Sequence, residues 1–97
     1  MKLNVSGMIV KVKRVKNLSD KEGVCGDYSH KSKVIRVDKD LKGKELIVTE
    51  LHEFIHSVMD RLGVGNAQLS HDLEEVICDG VATALAENTD IKWKKGS

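Results

Sequence analysis

The sequence predicts an α+β domain, a small antiparallel sheet of about three strands packed on two helices. Three observations carry that expectation. Apolar residues alternate with polar ones on both sides of Ser6-Gly7, and Val34-Ile35-Arg36-Val37 is rich in β-branched side chains. Two later stretches, 45–62 and 71–88, repeat their apolar residues with a helical period. No internal repeat or low-complexity segment divides the 97 residues, so one domain is expected over 1–97.

Leu3 and Val5 precede Ser6-Gly7, and Met8, Val10 and Val12 follow it. A two-residue turn there sets Val5 opposite Met8 and Leu3 opposite Val10, all on one face. Lys11 and Lys13 then point to water, and Ile9 is the apolar exception on the wet side. Residues 16–32 collect Asn17, Ser19, Asp20, Gly23, Gly26, Asp27, Ser29 and Ser32, which is loop chemistry with room for a short strand near Val24. Loops often carry substrate contacts, so Tyr28 and His30 are noted, with plain surface positions as the alternative. In the strand at Val34 to Val37, Ile35 and Val37 turn inward and Arg36 outward.

From Glu45 to Leu62 the residues Ile47, Val48, Leu51, Phe54, Ile55, Val58 and Leu62 form one apolar stripe. Gly63 reads as the helix stop, and Gly63 to Leu69 as a short loop. Ser70 suits an N-cap, with Asp72 and Glu74 facing the positive end of the next helix. That helix is expected to reach about Asn88. Leu73, Val76, Ile77, Gly80, Val81, Ala84 and Leu85 form its main apolar side, which is expected to pack toward the sheet. Residues 89–97 read as a frayed tail.

Formal net charge is +1, yet the charge is unevenly spread. Residues 1–44 hold twelve Lys/Arg and five Asp/Glu, whereas 45–90 hold one Arg and ten acids. An acidic half suits a divalent cation, which offsets part of that charge. Lys2 is followed by no hydrophobic run and no apolar stretch is long enough to span a membrane, so neither a secretory signal nor a membrane partner is expected. Cys25 and Cys78 are expected as free thiols in a reducing cytoplasm.

Chemistry concentrates in Leu51-His52-Glu53-Phe54-Ile55-His56. Residues four apart share a helix face, so His52 and His56 can offer two imidazoles to one Zn²⁺. Glu53 stands about 100° round the helix from His52, where its carboxylate can reach a water held by the metal. That is the position of a general base. Both histidines lie on the flank of the apolar stripe, able to reach a cleft while the helix stays anchored. The plain alternative is a polar helix face without metal.

Taken together, Val34-Ile35-Arg36-Val37-Asp38, Thr49-Glu50-Leu51-His52-Glu53-Phe54-Ile55-His56 and Leu73-Glu74-Glu75-Val76 resemble the minimal gluzincin-type zinc metallopeptidase domains. The resemblance extends to the ImmA/IrrE-like family and the short phage-encoded proteins related to it, over residues 3 to 88. The resemblance implies zinc held by His52, His56 and Glu75, with Glu53 as general base. It also implies that the strand at Val34 to Val37 borders the cleft, where an extended peptide could pair with it. No motif marks a residue that stabilises an oxyanion; Tyr28, His30 and His71 are candidates by chemistry alone.

Helix phase by itself leaves Glu74 and Glu75 both open as the third ligand. Glu75 shares a face with the short side chains Cys78, Asp79, Ala82 and Ala86, which would let this helix approach the histidine helix closely. Asp79, one turn on, could then accept a hydrogen bond from the free ring nitrogen of a ligand histidine. Glu74 is assigned to the helix dipole. The expected activity is hydrolysis of a protein or peptide by a zinc-activated water. A non-catalytic, zinc-stabilised protein-binding module, such as a phage or host regulatory factor, is the alternative. A nucleic-acid partner for Lys11, Lys13, Arg14, Lys16 and Lys33 is a weaker third, because aromatic residues do not interleave with them.

Overall fold

A computed structural model describes residues 1–64 and 69–94. The fold is α+β. Strands β1 (Lys2–Val5) and β2 (Met8–Val15) lead into a short helix α1 (Leu18–Glu22), then strands β3 (Gly26–Ser29) and β4 (Val34–Asp38). Two long helices follow, α2 (Gly43–Leu62) and α3 (His71–Asn88).

The first hairpin has the expected register, Val5 opposite Met8 and Leu3 opposite Val10. Ser6 and Gly7 both take positive φ, 48° and 87°, the turn geometry whose twist matches that of the flanking strands. The rest of the sheet departs from expectation. It has four strands rather than three, in the order β1-β2-β4-β3, and it is mixed, because β2 and β4 run parallel. The short strand allowed near Val24 lies two residues on, as β3, because Gly26-Asp27-Tyr28-Ser29 holds a single large apolar residue, too few to display alternation. α1, the third helix, has five residues, fewer than two turns, bounded by Asn17 at φ 60° and Gly23 at φ 71°.

Leu3, Val5, Val10, Val12, Ile35 and Val37 form the buried face of the sheet. α2 covers that face with Leu46, Phe54 and Val58, and Leu51 is buried beside them. Leu62, expected at the end of the same stripe, is exposed. α2 ends where expected, at Gly63 with φ 78°. The expected loop 63–69 lies partly outside the described residues, at 65–68.

Ser70 caps α3 as expected, its hydroxyl accepting from the Leu73 amide at 3.1 Å. The facing of α3 is as expected on one side: the short-side-chain face of Cys78 and Ala82 is buried, and α3 packs on α2. Leu73, Val76, Val81 and Leu85 are exposed instead of meeting the sheet. Short side chains on the Cys78/Ala82 face permit close approach between helices, and that approach turns the larger apolar residues outward.

The tail is also corrected. Residues 89–94 fold back, with the Trp93 indole edge-on to Phe54 at 5.2 Å and its Nε1 donating to Glu50 Oε1 at 3.3 Å. Burial of one large aromatic ring outweighs the chain entropy that would fray the segment. The remaining tail residues, 95–97, lie outside the described residues. Among the described residues no helix is long and apolar enough to cross a membrane.

Candidate metal centre

His52 and His56 stand one turn apart on α2, their ring centroids 4.9 Å from each other. Glu75 of α3 reaches both. Its Oε2 lies 3.0 Å from His52 Nε2 and its Oε1 2.8 Å from His56 Nε2, while the two Nε2 atoms are 3.2 Å apart. Tetrahedral ligands about 2.1 Å from a zinc ion sit about 3.4 Å from one another, so these three groups have the spacing of one coordination sphere. His52, His56 and Glu75, the trio expected from the sequence, are thus brought together as a group able to hold a metal ion.

The outer nitrogens of the two rings decide what the inner ones can do. His56 Nδ1 lies 2.6 Å from Glu74 Oε2. An ionised carboxylate only accepts, so with a metal ion at Nε2 the proton of neutral His56 would sit on Nδ1 and be donated to Glu74. Glu74 is therefore not a dipole partner only: it orients a candidate ligand. For His52 the corresponding carboxylate is Asp79, whose Oδ1 stands 3.5 Å from Nδ1. That is an ion-pair contact and longer than the hydrogen bond expected of Asp79, whose side chain is largely exposed.

Glu53 turns toward the same cleft, with only 8% of its surface exposed. Burial pushes its carboxyl above the usual carboxylate range, opposed by the neighbouring His52 and His56. Gly26 of β3 makes this closeness possible. A β-carbon there would stand 2.8 Å from Thr49 Cγ2, 2.9 Å from the Arg36 carbonyl oxygen and 3.6 Å from Glu53 Cγ. Only glycine lets β3 lie this near the α2 face that carries Glu53.

The cleft has a volume of about 630 Å³ and is walled by β3, α2 and α3. All four histidines line it, including His30 and His71. Tyr28 and His30 join a hub on Asp60, one turn beyond His56. The Tyr28 hydroxyl donates to Asp60 Oδ2 at 2.5 Å, Lys33 Nζ donates to the same oxygen at 3.0 Å, and His30 Nδ1 meets Oδ1 at 2.5 Å. Burial disfavours the charge on Asp60, yet the bonds from Tyr28, Lys33 and His30 outweigh it and hold the carboxyl below its ordinary range. Burial and the Asp60 carboxylate together push the Tyr28 hydroxyl upward, so it remains a donor. His71 lines the opposite wall, exposed at the start of α3. Asp60 is a cleft residue that sequence reasoning missed, and Glu74 is one to which it gave only the helix dipole.

The strand expected to border the cleft is displaced by one position. β4 is paired on both edges, by β2 and β3, so it has no edge to offer a peptide. β3 is the edge strand, and Gly26, Asp27 and Tyr28 line the cleft. Of the five basic residues considered for nucleic acid, none lines the cleft. Arg14 donates to the carbonyls of Lys39 and Leu41, and Lys33 to Asp60. Both cysteines are free, as expected: Cys25 is exposed at the cleft, and Cys78 is buried behind Glu74 and Glu75, its thiol pushed up to about 12 by burial first and then by those acids.

Compared with known proteins, the chain matches no family model, no curated protein and no solved structure.

Proposed function

We propose that the chain is a zinc-dependent peptidase of the minimal gluzincin kind, working in a reducing compartment such as the cytoplasm. One observation carries this reading. The Nε2 atoms of His52 and His56 lie 3.2 Å apart, each within 3.0 Å of a Glu75 carboxylate oxygen, while Glu74 stands at the far side of the His56 ring. A proton on one imidazole answers part of this cluster, whereas a metal ion answers all three groups at once. Nitrogen and carboxylate donors in a set of three suit a catalytic zinc, which leaves a position open.

Zinc bound by these three residues supplies Lewis acidity toward a water and a carbonyl oxygen. Glu53 removes the proton from the attacking water. A C–O bond forms to the peptide carbon, the C–N bond breaks, and Glu53 returns the proton to the leaving amine. A raised carboxyl is easier to protonate, which favours this shuttle near neutral pH. β3 offers its free edge to the substrate backbone, so an extended peptide segment is the expected substrate form.

Glu53→Gln tests the chemistry apart from the metal site. It keeps the shape of the side chain but accepts no proton. Metal content is expected to be retained and peptide hydrolysis to fall by about 10²–10⁴-fold. A Gln variant that cleaves as fast as the parent refutes the role of Glu53. A parent that holds zinc and hydrolyses no peptide in a broad library favours the second reading, a zinc-stabilised binding module, for which the exposed face of α3 is the specific support.

A further inference from the structure

α3 is turned inside out for a helix of its composition. At roughly 100° per residue, Leu73, Val76, Ile77, Gly80 and Ala84 fall within an arc of about 100° on the side away from Cys78 and Ala82. Val76 is 68% exposed and Leu73 47%, with Val81 and Leu85 extending the face further. Isolated exposed apolar residues are ordinary, but a continuous stripe along a helix of 18 residues marks a surface that something covers.

Shape and charge on this face narrow the occupant. Gly80 lies near the middle of the helix, and a β-carbon there would meet no neighbouring side chain within 4 Å. With Ala84 it forms a shallow saddle between Leu73 and Val76 on one side and Val81 and Leu85 on the other. Such a saddle accepts a bulky knob from a crossing helix. α3 carries five acids and no Lys or Arg. Of these, Asp72, Asp79 and Glu87 are exposed, and by helix phase Asp72 and Asp79 run along one flank of the stripe. A second copy crossing at Gly80 would set Asp79 against Asp79, and like charges at a helix crossing oppose that pairing.

We propose that the outer face of α3 docks an amphipathic helix of another protein, one with a large apolar residue at its centre and Lys or Arg along its flank. Of the residues named here this surface shares only Asp79 with the cleft, and it stands whether or not the cleft hydrolyses peptides.

Two synthetic peptides of about 18 residues test it, sharing one leucine stripe and flanked by Lys/Arg in one and by Glu in the other. Fluorescence anisotropy with the 97-residue chain is expected to show the basic peptide binding at least about tenfold tighter, with the margin shrinking at high salt. Val76→Asp should abolish binding. Gly80→Leu fills the saddle, so it should weaken binding about tenfold while leaving the melting temperature unchanged or higher, since glycine is a poor helix former. That combination separates loss of a docking surface from loss of fold. Equal affinity for the two peptides, undiminished binding by either variant, or a parent protein that is already dimeric by light scattering would overturn the proposal.

Discussion

Glu74 Oε2 lies 2.6 Å from His56 Nδ1, on the opposite side of the ring from Glu75. Two consecutive acids of α3 thus hold one imidazole from both ends, Glu75 at Nε2 and Glu74 at Nδ1. These contacts orient the ring, and a metal at Nε2 would leave the Nδ1 proton to Glu74. Glu75→Ala removes a candidate ligand and should cost the most metal affinity. Glu74→Ala should cost about 10–100-fold, the usual range for such an outer partner. Asp79→Ala should cost less, because its contact with His52 is 3.5 Å and exposed. Competitive zinc titration of the three variants checks that order, and a Glu74→Ala variant with parental affinity would remove Glu74 from the site.

The adjacent glutamates also mark where sequence reasoning stops. They read as rivals for one role because helix phase describes directions, not the two nitrogens of the ring they share. His52, Glu53 and His56 were legible because their relation is local, fixed by one turn of helix. The β1–β2 register was legible for the same reason. The parallel pairing of β2 with β4 was not, since it joins segments some twenty residues apart with no turn to fix it. For α3 the approach through Cys78 and Ala82 was legible from their short side chains, but the larger apolar stripe, expected against the sheet, points to water. Hydrophobic pattern misleads where a site requires the polar side of a helix to face inward. Asp60 was hidden because its three partners come from a distant turn.

Asp38 ties the end of β4 to the start of α1. Its carboxylate accepts from the Ser19 amide at 2.8 Å and the Asp40 amide at 2.9 Å. Hydrogen bonds from the Ser19 side chain, then from the Asp40 and Ser19 amides, hold its carboxyl below the ordinary aspartate range. A depressed folded-state value means stability that is fully present above the unfolded value of about 3.9 and lost as pH falls through the folded one. Asp38→Asn should therefore lower the melting temperature at pH 7, with the gap from the parent closing as pH drops below about 4. A gap independent of pH between 3 and 7 would assign the effect to packing alone.

Trp93 anchors the segment after α3 by its edge contact with Phe54 and its bond to Glu50. Trp93→Ala should destabilise the fold by about 2–3 kcal/mol, less than for a fully buried ring because the indole is only partly covered. Urea denaturation followed by circular dichroism measures this. A change below about 0.5 kcal/mol would mean that residues 89–94 contribute nothing to the core.

His52, His56 and Glu75 are expected to bind one zinc with Glu53 outside the coordination set. Zinc titration against a chromophoric chelator, on protein first stripped of metal, tests it most directly. One zinc per chain is expected, with an affinity at least about 100-fold lower in His52→Ala, His56→Ala and Glu75→Ala, and Glu53→Gln within about threefold of the parent. A parent that binds no stoichiometric zinc, or a Glu53→Gln variant that loses zinc as completely as His56→Ala, would contradict it.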